Sequence, residues 1–259
     1  MHVHRQELSD ISRYIEHHAN ESYDDQRPVI ENIFETIQRF KPLNETSRIL
    51  EIGVGRGWLQ VYGKKAGYQI RGVEITQQLI DVAKENGRNY GVELDLELGN
   101  IEETDLAPES YDVIIASSVF EHVQDWNAGL ENIARALKPG GLFYFDSTNK
   151  FSFTSGEYHW PLYGWMPDSW RYRLRRWRQG NDIMRCGIDF HQFTHPQLRR
   201  LFKRLGYTSV LDLVDFKDAE NVKSQGRWKR LILRSAKQSH LLKNVMLTFV
   251  PATIFICIK

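Results

Sequence analysis

From Ser47 to Ser147, short apolar runs alternate with amphipathic stretches. Ser47–Ile52, Gln69–Ile75, Leu94–Leu98, Tyr111–Ser117 and Gly141–Ser147 read as five strands, with helical patterns between them, notably Gln77–Asn89 and Trp126–Leu137. Strands separated by helices imply a parallel sheet covered on both faces, a doubly wound α/β fold. Residues 1–47 read as a helical cap. Pro28 after Asp24 and Asp25 marks a helix start, Ile30, Ile33, Phe34 and Ile37 share one face, and Pro42 ends the segment. Beyond Ser147 the rhythm breaks. Lys150–Cys186 shows no clear strand, and order returns with a helix over Pro196–Leu205 closed by Gly206. Thr208–Phe216 reads as a sixth strand. The run Val245–Ile258 holds the seventh; Pro251 interrupts it, and it falls short of the ~20 residues that span a bilayer. Residues 217–244 form a basic, helical excursion between the last two strands. With no internal repeat or low-complexity linker, the pattern predicts one domain over 1–259: cap 1–47, core 48–148, insertion or lid 149–195, and C-terminal helix and strands 196–259.

Composition adds little: 41% hydrophobic and 26% charged residues suit a soluble globular chain. Cys186 and Cys257 lack metal or redox spacing and fit a reducing cytoplasm. The first residues carry no apolar stretch, so no signal peptide is expected. Charge is more informative. The net +1 divides into +11 over residues 150–243, where 19 Lys and Arg face 8 Asp and Glu, and −10 over the rest. A basic second half suits an anionic contact; a solvated basic surface balanced by the acidic half accounts for it equally.

The strongest local signal is Ile49-Leu50-Glu51-Ile52-Gly53-Val54-Gly55-Arg56-Gly57, a strand entering a glycine turn. Glycines let backbone turn tightly and approach a ligand at the carboxyl end of the first strand, where such sheets bind nucleotides. A dinucleotide fingerprint requires glycine at position 58, which is Trp58. The observed G-x-G-x-G, with Glu51 two residues ahead, suits a cofactor presenting an amino-acid moiety; Glu51 is expected to orient it through water or loop amides. Glu74 ends the second strand, where a carboxylate can accept two hydrogen bonds from a ribose diol. After the third strand, Asn100 offers an amide for an adenine edge and Ile101 an apolar surface for its face. Ile75, beside Glu74, and Ser117, ending the fourth strand, complete the expected cofactor-binding set with Gly53, Gly55 and Gly57. Ser117-Ser118-Val119-Phe120-Glu121-His122-Val123 follows the fourth strand, and Leu137-Lys138-Pro139-Gly140-Gly141 reads as a turn before the fifth.

Over residues 45–150 this ordered set resembles the class I S-adenosylmethionine-dependent methyltransferases. Glu121-His122-Val123, Leu137–Gly141, Phe145–Asn149 and Phe193-Thr194-His195-Pro196-Gln197-Leu198 are most similar to the branch with the ubiquinone-biosynthesis O-methyltransferases. The resemblance implies a Rossmann-like, seven-stranded, mostly parallel sheet with an antiparallel last strand. It also implies S-adenosyl-L-methionine as donor, S-adenosyl-L-homocysteine as product, and oxygen as the receiving atom. By the same resemblance Gly53, Gly55 and Gly57 line the methionine portion, Glu74 holds ribose, and Asn100 with Ile101 contacts adenine. Many relatives have Asp where this chain has Asn100, which accepts the adenine amino hydrogen without charge.

Methyl transfer to a hydroxyl benefits from a base with a pKa near the working pH, which points to histidine. His122 follows the fourth strand, near where the methyl should be presented; packing beneath the cofactor loop is its structural alternative. His191 flanks Phe193 at the mouth of the insertion and is the second candidate. His159, Asp189, His191 and His195 match no tight metal-ligand template, so no metal is expected. Ser117 and Ser118 lack the flanking glycines of a nucleophile elbow.

The insertion is aromatic and basic. Trp160–Arg178 interleaves Trp165, Trp170 and Trp177 with Arg171, Arg173, Arg175, Arg176 and Arg178, and Arg227–Arg234 repeats the theme. One reading is a lid that rests on an anionic membrane surface and admits a lipid-like or lipid-linked acceptor, giving a cytoplasmic protein peripheral at the inner face of the membrane. The other is a lid over a small-molecule pocket. An RNA-directed methyltransferase and a non-catalytic binding protein on the same fold remain as alternatives. Nucleic acid is disfavoured because no Asn/Asp-Pro-Pro-aromatic clamp follows the fourth strand, and intact glycines with Glu74 argue against a silent relative.

Overall fold

The computed structural model describes residues 12–153, 160–179, 191–217 and 227–259. Its elements run α1 (Ser12–His17), α2 (Tyr23–Phe40), β1 (Arg48–Ile52), α3 (Trp58–Lys65), β2 (Gln69–Glu74), α4 (Gln77–Asn89), β3 (Asp95–Leu98) and β4 (Tyr111–Ser117). They continue with α5 (Trp126–Ala136), β5 (Leu137–Thr148), α6 (Asp168–Gln179), α7 (His195–Arg204), β6 (Ser209–Asp212), α8 (Leu213–Phe216), α9 (Arg227–Gln238), α10 (His240–Phe249) and β7 (Ala252–Ile258). The seven strands form one sheet in the order β3-β2-β1-β4-β5-β7-β6; β7 runs antiparallel to both its neighbours, and β1 to β5 are parallel. The expected doubly wound, mostly parallel architecture is therefore present.

Helices cover both faces, which is why the inner strands are apolar throughout rather than alternating. Val113, Ile114, Ile115 and Ala116 of β4 are all fully buried. Leu50, Ile114, Ala116, Phe143 and Phe145 pack on one side with Leu130 and Ile133 of α5 and Leu198 and Phe202 of α7. Ile49, Val113, Ile115, Leu142 and Tyr144 pack on the other with Ile30, Phe34 and Ile37 of α2 and with α3. The chain winds outward from β1 in one direction and from β4 in the other, which opens a crevice between the carboxyl ends of β1 and β4.

Four local expectations change. Helix α2 starts one turn before Pro28: Ser22 caps it, its Oγ accepting from the Asp25 amide at 3.3 Å while the Asp25 carboxylate accepts from the Ser22 amide at 3.1 Å. Lys138–Gly141 is an irregular start to β5 rather than a closing turn; the register with β4 jumps from Tyr111↔Leu137 to Val113↔Leu142, and Gly140 and Gly141 pair with Lys259. The sixth strand stops at Asp212, whose carboxylate accepts from the Val214 and Asp215 amides and so turns Leu213–Phe216 into one helical turn. Of the apolar run from Val245, residues through Phe249 finish α10, and the strand begins only after Pro251. Asn149 ties the root of the insertion to that helix end, donating from Nδ2 to the carbonyls of Leu247, Thr248 and Val250 at 3.0, 3.1 and 2.8 Å.

Candidate active site

The glycine turn sits at the crevice. Gly53, Gly55 and Gly57 all have left-handed backbone, with φ of +72°, +53° and +83°, and the Gly53 amide donates to the Val73 carbonyl at 2.8 Å. Close approach adds to conformation at two of them. A Cβ on Gly53 would lie 2.4 Å from Val119 Cγ2, and one on Gly57 would lie 2.8 Å from the Ala83 Cβ. The loop is thus pressed between the segment after β4 and helix α4. Nothing lies within 4 Å of a Cβ built at Gly55, so that residue faces open space.

Glu74 ends β2 almost fully buried, and its carboxylate organises this turn. Oε2 accepts from the Gly55 amide at 3.1 Å; Oε1 accepts from the amides of Ile75 at 2.8 Å and Thr76 at 3.3 Å and from Thr76 Oγ1 at 3.4 Å. Burial raises its proton affinity against the pull of these donors. An ionised carboxylate has about four acceptor sites, so Oε2 retains capacity for a ligand hydroxyl while Oε1 is engaged inside the protein. Ile75 is 55% exposed, and Leu98, the register partner of Glu74 at the end of β3, is 54% exposed. Leu98 was not among the sequence candidates. Its signal is an apolar residue at the carboxyl end of a strand next to an acid.

Glu51 behaves otherwise than expected. It accepts from Gln60 Nε2 of α3 at 2.9 Å, in the interior, rather than from loop amides. Burial pushes its carboxyl up to about 8, the Glu74 charge adds to the rise, and Gln60 opposes it. The neutral form therefore favours the folded state. Its contribution is fully present below the ordinary value of 4.5 and is lost as pH climbs toward about 8. Glu51→Gln is expected to remove a slope of up to about 1.4 kcal/mol per pH unit in that window. Urea unfolding of both proteins at mildly acidic and mildly alkaline pH checks it; equal slopes would contradict the assignment.

Asn100 serves as a turn residue, its Oδ1 accepting from the Glu102 amide at 3.1 Å and its carbonyl from Thr104 Oγ1 at 2.7 Å. Ile101 is buried in the core cluster rather than open. Ser117 Oγ donates to Asp146 Oδ2 at 3.2 Å. His122 lies half-buried in the helical turn Phe120–His122 after β4. His191 joins that same segment: its amide donates to the Glu121 carbonyl at 3.2 Å, its Nε2 lies 3.0 Å from the Gln124 carbonyl oxygen, and its ring meets Trp126 edge-on with centroids 6.1 Å apart. Two histidines nearly seventy positions apart thus share one short segment. Glu121, unassigned from sequence, is buried there and accepts from Ser147 Oγ at 2.6 Å. His195 belongs elsewhere: it is buried with its ring 5.3 Å from Phe255, and burial together with the Arg199 charge pushes it down to about 4. His159 and Asp189 lie outside the described residues.

Residues 50–145 match the family described as methyltransferase domain. The match spans just over a third of the chain. Over 104 residues it is 34% identical to a ubiquinone biosynthesis O-methyltransferase of Idiomarina loihiensis, a match covering 40% of this chain and 43% of that relative. The chain therefore spans less than half the length of the curated relative it matches. Among solved structures, phosphoethanolamine N-methyltransferase 2 of Haemonchus contortus, in complex with phosphomonomethylethanolamine and S-adenosylhomocysteine, superposes with a TM-score of 0.60 at 18% identity, covering 96% of this chain and 56% of that one. An S-adenosylmethionine-dependent methyltransferase of Mesorhizobium loti superposes with a TM-score of 0.56 at 16% identity, covering 92% of this chain and all of that one. These likenesses establish the fold of the S-adenosylmethionine-dependent methyltransferases.

Proposed function

We propose that this chain is an S-adenosyl-L-methionine-dependent methyltransferase acting on a hydroxyl of a small or lipid-like acceptor. The observation that carries this reading is the left-handed glycine turn at the β1/β4 crevice, with the Gly55 amide held by Glu74 and exposed Ile75 and Leu98 beside it. These residues fit the donor: open space at Gly55 for its amino-acid end, the spare acceptor capacity of Glu74 for the ribose, and apolar surface for the base. Asn100, after β3, and Ser117, at the end of β4, are assigned to the same donor site, and buried Glu51 and Ile101 to its support from the interior. When bound, the donor supplies an electrophilic sulfonium methyl. The protein's part is to align an acceptor oxygen with that methyl and to exclude water. His122 and His191, gathered on the segment after β4, are assigned to contact with the acceptor.

The lipid-like acceptor is supported by the surface of the insertion. Trp170 and Trp177 of α6 are 63% and 77% exposed, and with Met166, Arg173 and Leu174 they line one hollow. Phe153, Trp165 and Phe249 stack together, and Leu241 and Val245 extend that surface along α10. Exposed indoles beside Arg173, Arg176 and Arg178 suit an anionic headgroup layer. Two of the five α6 arginines do not contribute. Arg171 and Arg175 are buried, Arg171 pairing with Asp168 at 2.9 Å and lying over the Tyr163 ring. The side chains of Arg227 to Arg230 lie outside the described residues. No helix among the described residues is long and apolar enough to cross a membrane.

A labelled-methyl assay tests the function. Donor carrying a radioactive methyl is incubated with the protein and catechol-bearing acceptors, one water-soluble and one with an isoprenoid tail in phosphatidylglycerol vesicles. Label is expected in an ether product, with more in the tailed acceptor. Label in neither acceptor would contradict the reading.

A further inference from the structure

Asp146 is a carboxylate for which no role was expected from sequence. Strand alternation fixes its direction. Phe143 and Phe145 of β5 point to the α5/α7 side of the sheet and Leu142 and Tyr144 to the α2/α3 side, so Asp146 shares the side of Tyr144. Ser117, two residues beyond Ile115, shares that side on β4 and is the register partner of Asp146. Because Ile52 pairs with Ala116, the level of Ser117 and Asp146 is also the level of Gly53. Neighbouring strands lie about 4.8 Å apart, which sets Asp146 roughly 10 Å across the sheet from the glycine turn. That separation leaves room for a reacting group between them.

The carboxylate is incompletely used by the fold. Ser117 Oγ donates to Oδ2, and among the described residues nothing donates to Oδ1 and no cation pairs with either oxygen. Asp146 is only half-buried, so the residue keeps some contact with solvent. Burial has a second consequence: it pushes this carboxyl up to about 6, with the Ser117 hydrogen bond opposing the rise. A carboxylate in that range exchanges a proton near neutrality more readily than an ordinary aspartate. The Ser118 amide donates to the Asp146 carbonyl at 2.9 Å, from a residue itself in left-handed conformation at φ +55°, which fixes the β4 segment against this strand.

We propose that Asp146 binds the methyl acceptor, its Oδ1 receiving the hydrogen bond of an acceptor hydroxyl on the β4/β5 side of the crevice, with Ser117 holding Oδ2 in place. The inference rests on the methyltransferase reading and adds the residue that faces the acceptor. In the transfer step the acceptor oxygen forms its bond to the methyl carbon as the carbon–sulfur bond breaks. The electron pair of that bond remains on sulfur as a neutral thioether, and the hydroxyl proton passes to Oδ1 and from there to water. Charge and atoms balance: one cationic donor and one alcohol yield one ether, one thioether and one proton.

Binding can be read without turnover. Calorimetry on the full chain saturated with S-adenosylhomocysteine would use catechol as the hydroxyl-bearing probe and veratrole, its dimethyl ether, as the probe with no hydrogen to donate. Asp146→Asn is expected to weaken catechol by about 10- to 100-fold, the worth of a hydrogen bond to a charged group. Veratrole and S-adenosylhomocysteine should keep their wild-type affinities within about twofold, and Ser117→Ala should weaken catechol only slightly. If Asp146→Asn fails to bind S-adenosylhomocysteine, Asp146→Ser carries the same comparison. Equal catechol affinity in wild type and variant, equal loss for both probes, or no catechol binding to the saturated wild type would overturn the proposal. Failure of the methyltransferase reading looks different: the wild type would not bind S-adenosylhomocysteine at all.

Discussion

Gly53→Ala should lower stability by about 2–5 kcal/mol and abolish binding of the methyl donor. Two costs combine. The left-handed backbone at φ +72° is unfavourable for any residue with a Cβ, by about 1–2 kcal/mol. The new methyl would also lie 2.4 Å from Val119 Cγ2, 3.1 Å from its Cγ1 and 3.3 Å from its Cβ. Val119 is β-branched and stiff, so it cannot swing clear, and overpacking of this kind costs about 1–3 kcal/mol. The displaced segments are the two walls of the crevice, so the site is lost together with stability. Gly91→Ala is the control. Its φ of +73° is the same, yet nothing lies within 4 Å of the added carbon, and it should cost only the backbone part. Thermal unfolding compares them; equal shifts in Tm would contradict the close packing of the turn against Val119.

Glu74→Ala should weaken S-adenosylhomocysteine by roughly 30- to 1000-fold, or about 2–4 kcal/mol, since in the proposed site it removes the acceptor for charge-assisted hydrogen bonds from the ribose. It also releases the Gly55 amide, so the turn loses its tether at the same time. Glu74→Gln keeps an acceptor oxygen without the charge and should fall between the two. Titration calorimetry at matched fractions folded separates these effects. Wild-type affinity in Glu74→Ala would remove Glu74 from the site.

Most of the core was legible before the structure because its signals are local. Ile49–Ile52 running into Gly53, Gly55 and Gly57 is a strand and a turn whatever surrounds it, and Glu74 followed from a strand end. The misreadings have physical reasons. Val245–Phe249 and the strand after Pro251 form one apolar run, and apolarity without a period does not separate helix from strand. Asp212 ends its strand through a cap with Asp215 that an apolar flank disguises. Glu51 finds Gln60 nine positions on, across a strand–helix contact, and Asp146 finds Ser117 across the β4–β5 pairing 29 positions apart. Such partners exist only once the sheet is assembled. Arg171 and Arg175 read as surface in an Arg-rich stretch, yet a helix buries one face whatever its composition. His191 reaches the His122 segment through a long-range contact that no spacing encodes.

The β1/β4 crevice is proposed to hold S-adenosyl-L-methionine. The most direct measurement is calorimetric titration of the wild-type chain with the donor and with S-adenosyl-L-homocysteine, repeated on Glu74→Ala. One-to-one saturable binding of both compounds to the wild type is expected, with both weakened by roughly 30- to 1000-fold in the variant. Absence of binding to the wild type, or binding that Glu74→Ala leaves unchanged, would contradict that proposal.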